Sequence, residues 1–282
     1  MRSERSTLKS PHRLIDVSRP LIMGVINATP DSYHAPSRAL DNDQIRRKID
    51  DMVLNGVDIL DIGGCSTRPG STPPSIEAEI DRVIPVLQYA RQEHPGLPIS
   101  IDTYRSDVIK ACLPYQIDMV NDISTAELDA GLLDVVSKEK LIYVIMHMQG
   151  TPENMQNDPH YDDVLMDILG FLSRKIRLCR SKNIDELIVD PGIGFGKQIS
   201  DNFKIVQALS VFRIFDLPVL VGLSRKSFIY KSLNTTPEET LEATTALHMV
   251  ALQGGAKILR VHDVKAARDC IEMYRLISDV RK

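Results

Sequence analysis

Short polar side chains follow several apolar segments of this sequence, and their chemistry suits the binding of a heterocycle. Asp102, Asn121 and Asp190 each stand at or near the end of such a segment. An ionised carboxylate only accepts hydrogen bonds, whereas an amide both donates and accepts them. The three side chains could therefore hold a flat ring that presents adjacent N–H groups.

A second set of side chains is cationic or can become so. Arg68, Lys226, Arg260 and His262 belong to it. Guanidinium and ammonium groups bind phosphate and carboxylate oxygens. A substrate with a polar heterocycle at one end and phosphates at the other would satisfy both sets.

Short apolar segments alternate with longer amphipathic ones along the chain. The short segments are rich in Ile, Val and Leu without strict alternation, which is typical of strands buried on both faces of a parallel sheet. They span residues 21–26, 57–62, 98–102, 117–122, 141–146, 187–190, 217–222 and 257–261. Helical periodicity is clearest over residues 75–94, 161–183, 238–255 and about 264–280.

Eight strands that alternate with helices predict an α/β fold, a (β/α)8 TIM barrel in a single domain. We assign residues 19–282 to the barrel and residues 1–18 to an N-terminal extension. A doubly wound open sheet is the alternative, but no G-x-G-x-x-G follows the first strand. In a barrel, the carboxyl ends of the strands carry the chemistry. Polar residues stand at all eight predicted ends: Asn27, Asp61, Asp102, Asn121, His147, Asp190, residues 224–227, and Arg260 with His262.

Composition excludes several classes of partner. The chain has 282 residues and a formal net charge of −4 without a basic block, which argues against nucleic acid. No window approaches 18 consecutive apolar residues, so we expect no membrane span. The four cysteines are far apart and the N-terminus lacks an apolar signal region, so we expect a cytoplasmic protein.

The segment "DPGIGFGK", residues 190–197, superficially suggests a phosphate-binding loop. Its spacing does not match G-x-x-x-x-G-K-[ST]. We expect the glycines to let the backbone turn tightly and approach a flat ring. Lys197 is then an orienting or surface residue and not a phosphate ligand.

Eight sequence motifs together resemble the dihydropteroate synthase family from about residue 20 to 275. They are "IMGVINATPDSY", "DIGGCSTRPG", "ISIDTY", "MVNDIS", "IMHMQGTPENMQ", "DPGIGFGK", "VGLSRKSFI" and "LRVHDV", each at a predicted strand end. The resemblance implies an enzyme that joins 6-hydroxymethyl-7,8-dihydropterin diphosphate to 4-aminobenzoate. It also implies a Mg2+ requirement, a homodimer and inhibition by sulfonamides.

The resemblance assigns roles to residues of this sequence. Asp102, Asn121, Asp190 and Lys226 would bind the pterin, with Met146 packed near the ring. The diphosphate would be held by Asn27, Arg260 and His262, with Asn27 acting through Mg2+. The aminobenzoate site would be shaped by Thr67, Arg68, Pro69, Phe195, Lys226 and Ser227. The residues expected to be catalytic are Asn27, Asp102, Lys226, Arg260 and His262.

Two loops depart from the family pattern. Tyr33 stands where phenylalanine is usual, and His34 to Pro36 replace glycines. Cys65 stands where glutamate is common, and we expect its thiol to be inert. Loops 27–41 and 63–75 are candidate lids.

Three rival interpretations stay open at this point: a pterin-binding methyltransferase barrel, a Schiff-base aldolase that uses Lys226, and a non-catalytic paralogue. Such an aldolase should place its lysine within a strand in an apolar surround, whereas Lys226 is expected in a loop.

Overall fold

The structure is a computed structural model that describes residues 6–28, 35–65 and 72–280, with only the backbone described for residues 35–42. Its central feature is a parallel eight-stranded sheet. The strands are β3 (Leu21–Asn27), β4 (Ile59–Gly63), β5 (Ile99–Asp102), β6 (Met119–Asp122), β7 (Ile142–Met146), β8 (Leu187–Asp190), β9 (Leu220–Gly222) and β10 (Ile258–Val261).

These strands pair in the order β8-β7-β6-β5-β4-β3-β10-β9. The two outer strands also meet, since Val189 forms a parallel bridge with Val219 and its N–H donates to the Pro218 carbonyl at 3.0 Å. The sheet thus curls into a barrel. The predicted (β/α)8 fold is confirmed, and all eight predicted strands are present.

Helices cover the outside of this barrel. They are α1 (Ala35–Leu54), α2 (Ile76–Glu93), α3 (Ser106–Cys112), α4 (Leu132–Glu139), α5 (Val164–Ser181), α6 (Ile199–Gln207), α7 (Ser227–Leu233), α8 (Leu241–Gly254) and α9 (Val264–Asp279). Short 3-10 helices lie at Leu113–Tyr115, Leu209–Phe215 and Pro237–Glu239.

Local sequence signals explain several helix ends. Ser75 caps α2 by accepting from the Ala78 N–H at 3.1 Å, and Asp163 caps α5 in the same way. Gly255 ends α8 with φ of 100°, a left-handed conformation that favours glycine. Within the described ranges, no helix combines the length and apolar character needed to span a membrane.

A small antiparallel hairpin precedes the barrel, formed by β1 (Thr7–Lys9) and β2 (Leu14–Asp16). Leu8 and Ile15 pair across it, are buried, and join the apolar cluster inside the barrel. Ser10 Oγ also donates to Asp118 Oδ1 at 2.6 Å. The hairpin therefore closes the amino end of the barrel, although the sequence predicted no element there.

Candidate active site

A layer of charged side chains lies above the apolar interior of the barrel. Side chains alternate between the two faces of each strand, so one face of the sheet supplies both the interior cluster and this layer. Met119 and Ile188 face the interior, and two residues further on come Asn121 and Asp190. Register places Asp102 beside Asn121 at the same height.

Arg260 connects two carboxylates in this layer. Its Nε donates to Asp61 Oδ2 at 2.6 Å and its Nη2 donates to Asp102 Oδ2 at 2.5 Å. Asn121 Nδ2 also donates to Asp61 Oδ2, at 3.0 Å. The structure thus brings together three residues that the sequence singled out. Arg260 contacts Asp102 directly and Asn121 through Asp61, which had been noted only for its position.

Burial controls the protonation of this layer. It raises the pKa of Asp102 to about 7, although the Arg260 guanidinium opposes the rise and the Asp61 carboxylate adds to it. Asp61 is fully buried, and no group in the described part of the chain hydrogen-bonds its Oδ1. Asp102 can therefore change protonation near neutral pH while Arg260 holds it in place.

Asp190 stands at the end of β8 on the other side of the layer. Its Oδ1 accepts from the Gly192 N–H at 2.7 Å. Burial raises the pKa of Asp190, and the Gly192 N–H and the Lys226 ammonium oppose that rise. The carboxylate is therefore held in a fixed orientation.

Lys226 immediately precedes α7 and reaches the same region. Its Nζ donates to the Ile193 carbonyl at 2.5 Å and lies 4.1 Å from the centre of the Phe195 ring, a cation–π contact. Burial lowers the pKa of Lys226 to about 8. Ser227 is the first residue of α7.

The glycines of residues 192–196 are required by close packing. Gly192, Gly194 and Gly196 all have positive φ. A Cβ on Gly192 would lie 1.8 Å from the His147 carbonyl oxygen, and one on Gly196 would lie 2.5 Å from that of Gln149. The predicted tight turn is confirmed, and its nearest neighbours are the residues that follow β7.

Lys197 is 4% exposed, so the surface alternative for this residue is wrong. Its Nζ donates to the carbonyls of Gly192 at 2.8 Å and Phe195 at 2.9 Å. Lys197 therefore uses its amino group to hold the neighbouring backbone, which agrees with the prediction of an orienting residue.

His262 follows β10 and is the member of the cationic set that is not charged in the free protein. Burial lowers the pKa of His262 to about 4, and the positive charges of Lys48 and Arg260 add to this effect. The sequence grouped His262 with side chains that are cationic or can become so, and its ring is neutral at pH 7 in the free protein. Arg225, which follows Ser224, forms a two-point ion pair with Asp263 instead of facing the layer, at 3.1 and 2.8 Å.

Comparisons with known proteins agree with this geometry. A model of pterin-binding enzymes matches residues 23–262. Dihydropteroate synthase of Escherichia coli K12 is 37% identical over 266 residues, which are 94% of this chain and 93% of the relative. The chain belongs to the dihydropteroate synthase family.

Two solved structures of that family superpose closely on this chain. The Yersinia pestis dihydropteroate synthase in complex with a sulfonamide drug gives a TM-score of 0.91 at 36% identity, covering 97% of this chain and 99% of that one. The Xanthomonas albilineans enzyme with 4-aminobenzoic acid gives 0.89 at 35% identity, covering 97% and 98%.

Hydrogen bonds from neighbouring side chains hold the start of loop 63–75 in place. Arg82 Nη1 donates to the Gly64 carbonyl at 2.9 Å. Beneath it, the fully buried Glu79 accepts from Thr103 Oγ1 at 2.6 Å and from Arg105 at 2.9 Å. Sequence reasoning missed Glu79. Its only signal was its position on the face of α2 that also carries Val83 and Val86.

Several family positions fall outside the described residues: Tyr33, Thr67, Arg68 and Pro69. Burial and the Glu79 carboxylate raise the pKa of the Cys65 thiol to about 11, which supports an inert thiol.

The remaining family positions lie at the carboxyl end of the barrel. Asn27 ends β3 and is exposed, and Met146 ends β7 and is 3% exposed. Among the described residues, no three His, Cys, Asp or Glu side chains could together hold a metal ion. Mg2+ commonly binds through one or two protein oxygens with substrate phosphates and water. The exposed carboxamide of Asn27 fits that mode.

Proposed function

We propose that this protein condenses 6-hydroxymethyl-7,8-dihydropterin diphosphate with 4-aminobenzoate to give 7,8-dihydropteroate and pyrophosphate, a transferase reaction of folate biosynthesis. The observation that supports this proposal most is the layer of polar side chains at the carboxyl end of the barrel, in a chain of this family. Asn121 and Asp190 are buried there, and Asp102 and Arg260 are partly buried. Its acceptors and cations suit a pterin ring better than an apolar ligand.

The pterin ring would lie on this layer. Asp190 would accept hydrogen bonds from the ring's amino group and adjacent N–H, since its orientation is already set by Gly192. The lowered pKa of Lys226 leaves it able to donate to the ring or to accept a proton. The Met146 side chain would supply an apolar contact.

The diphosphate would lie above the ring, toward the mouth of the barrel. Arg260 is shared between two carboxylates, so its charge is already partly countered and its main effect would be to fix Asp102. His262 would take up a proton as the diphosphate approaches, because a nearby anion raises a histidine pKa. Asn27 would help to hold Mg2+, which neutralises diphosphate charge when bound.

We favour a dissociative, SN1-like step. The bond between the exocyclic methylene carbon and the diphosphate oxygen breaks, and its electron pair leaves with the diphosphate. The electron-rich dihydropterin stabilises the resulting cation. The 4-aminobenzoate nitrogen then attacks the methylene carbon and loses one proton. The protein's part is to place charge where it develops and to exclude water.

The aminobenzoate would bind beside Phe195, Lys226 and Ser227, with Thr67, Arg68 and Pro69 of the second loop covering it. The ring of Phe195 and the ammonium of Lys226 lie together in the structure, which supports their joint role. The predicted loop 27–41 is shorter than expected, because α1 begins at Ala35. The segment before Ala35 and loop 63–75 would close over the bound substrates.

A Schiff-base aldolase was the rival that used Lys226. Its lysine should lie within a strand, but Lys226 precedes α7, as expected from the sequence. The pKa of Lys226 is lowered, as that of a Schiff-base lysine is, so its pKa alone does not separate this protein from such an aldolase. Borohydride in the presence of a carbonyl substrate should leave Lys226 unmodified, and a reduced adduct would favour the aldolase.

Pyrophosphate release separates the proposed reaction from a methyltransferase or an inactive paralogue. Purified protein with the pterin diphosphate and Mg2+ should release pyrophosphate in excess over the enzyme only when 4-aminobenzoate is also present. Asp190→Asn should weaken binding of 6-hydroxymethylpterin, measured by calorimetry without Mg2+. Equal pterin affinity in wild type and variant would show that Asp190 does not bind the pterin.

We further propose a cytosolic homodimer. The exposed apolar side chains of Val250 on α8 and of Met273, Leu276 and Ile277 on α9 support an interface through the last helices. Light scattering should give twice the chain mass of 31.6 kDa.

A further inference from the structure

The backbone of residues 192–196 is held by side chains at every carbonyl. Five successive carbonyl oxygens, from Gly192 to Gly196, each accept a hydrogen bond from a side chain. The donors, in order, are Lys197, Lys226, Gln156, Lys197 and Tyr161, at 2.8, 2.5, 3.0, 2.9 and 2.6 Å. A free loop would leave these carbonyls to water. We call residues 192–196 the glycine segment.

Lys197 supplies two of these five bonds and also joins the glycine segment to the end of β7. Its Nζ lies 3.0 Å from His147 Nδ1 and 3.2 Å from the His147 carbonyl oxygen. Burial, followed by the charge of Lys197, lowers the pKa of His147 to about 3. The imidazole is therefore neutral, and its Nδ1 accepts from the ammonium.

The glycine segment in turn positions Lys226. The Ile193 carbonyl accepts from Lys226 Nζ, and the Phe195 ring lies under the same ammonium. A Cβ on Gly194 would lie 2.6 Å from Lys226 Cδ, so the segment and this side chain are in close contact. A shift of the segment would move both the ring and the ammonium.

Asp190 depends less on Lys197. It belongs to β8, where it pairs in register with Met146 of β7, so the strand ladder fixes its backbone. Phe195 lies five residues beyond the strand and has no such ladder. Loss of the Lys197 bonds should therefore disturb Phe195 more than Asp190.

We propose that Lys197 is a positioning residue that sets the Phe195 ring and the Lys226 ammonium for the second substrate, 4-aminobenzoate. This inference rests on the proposed function. Lys197 acts through the glycine segment, so its removal should raise KM for 4-aminobenzoate selectively. A merely structural role would lower the amount of folded enzyme without separating the two KM values.

The test compares three variants with wild type in steady-state assays that vary each substrate. Lys197→Met keeps the length of the side chain and removes its donors. Tyr161→Phe removes only the hydroxyl that binds the Gly196 carbonyl, so it loosens the same segment from another side. Lys204→Met on α6 is the matched control, because that side chain is 63% exposed.

Lys197→Met should raise KM for 4-aminobenzoate by about tenfold or more, because the carbonyls of Gly192 and Phe195 would lose their donor. KM for the pterin diphosphate should rise less, by about threefold at most, because Lys226 serves both substrates whereas β6 and β8 hold Asn121 and Asp190. Tyr161→Phe should show the same selectivity with a smaller rise, and it decides the matter if Lys197→Met does not fold. Lys204→Met should match wild type.

Two other results have different meanings. Unchanged KM values, or an equal rise in both, would overturn the positioning role while leaving the proposed function intact. Absence of product from wild-type enzyme would overturn the proposed function itself.

Discussion

A buried histidine that the proposed chemistry does not use makes a sharp prediction about stability. His248 lies on α8, is 3% exposed, and neither of its ring nitrogens has a hydrogen-bond partner in the described part of the protein. Burial lowers the pKa of His248 from 6.5 to about 4, and the Asp263 carboxylate opposes this fall. The folded protein therefore keeps this ring neutral in mildly acidic solution.

The pH dependence follows from proton binding in the two states. Between pH 6.5 and about 4, the unfolded chain binds a proton at His248 and the folded chain does not. The unfolded state thus gains stability as pH falls through this window, and the folded protein loses it. Integrating from pH 7.5 to pH 5 gives a loss of about 2 kcal/mol in the free energy of unfolding from His248 alone.

His248→Leu should remove this loss. Urea unfolding of wild type and variant at pH 7.5 and pH 5 gives the stability difference at each pH. That difference should shift by about 2 kcal/mol in favour of the variant at pH 5. Other titrating groups cancel, because both proteins contain them. His160→Leu is the control, since that side chain is 81% exposed and its substitution should leave the difference nearly independent of pH.

A difference between wild type and His248→Leu that is the same at both pH values would refute the reasoning. It would mean that His248 binds a proton equally in the folded and unfolded states.

Three further predictions concern the site and the assembly. Asp61→Asn should lower turnover and move the acid limb of the kcat/KM profile to lower pH, because the Asp61 carboxylate helps to raise the pKa of Asp102; an unmoved limb in pH-rate measurements would contradict this. Tyr33→Phe should change sulfonamide inhibition constants more than KM for 4-aminobenzoate, and an equal change in both would sink the idea. Leu276→Asp, which places a charge among exposed apolar side chains of α9, should give a species of about half the wild-type mass by light scattering, whereas an unchanged mass would place the interface elsewhere.

Much of the fold was predictable because a parallel barrel repeats one strong signal. Segment 141–146 is apolar and is followed by His147, and segment 187–190 is apolar up to its last residue, Asp190. The hairpin of Thr7–Lys9 and Leu14–Asp16 escaped prediction, because strands of three residues are too short to show periodicity.

The types of residue in the site were predictable, but their electrostatics were not. Asp102 and Asn121 lie together as expected. By contrast, the neutral His262 and the buried Lys197 depend on packing that no local pattern encodes. The pairing of Arg260 with Asp61 links residues 199 positions apart, so only the closed barrel reveals it.

The amounts of 7,8-dihydropteroate and pyrophosphate formed by the purified protein test the central claim most directly. With pterin diphosphate, 4-aminobenzoate and Mg2+, the two products should appear in equal amounts. When the 4-aminobenzoate is radioactive, the label should appear in dihydropteroate. Absence of labelled dihydropteroate, or pyrophosphate released without it, would contradict the proposed function.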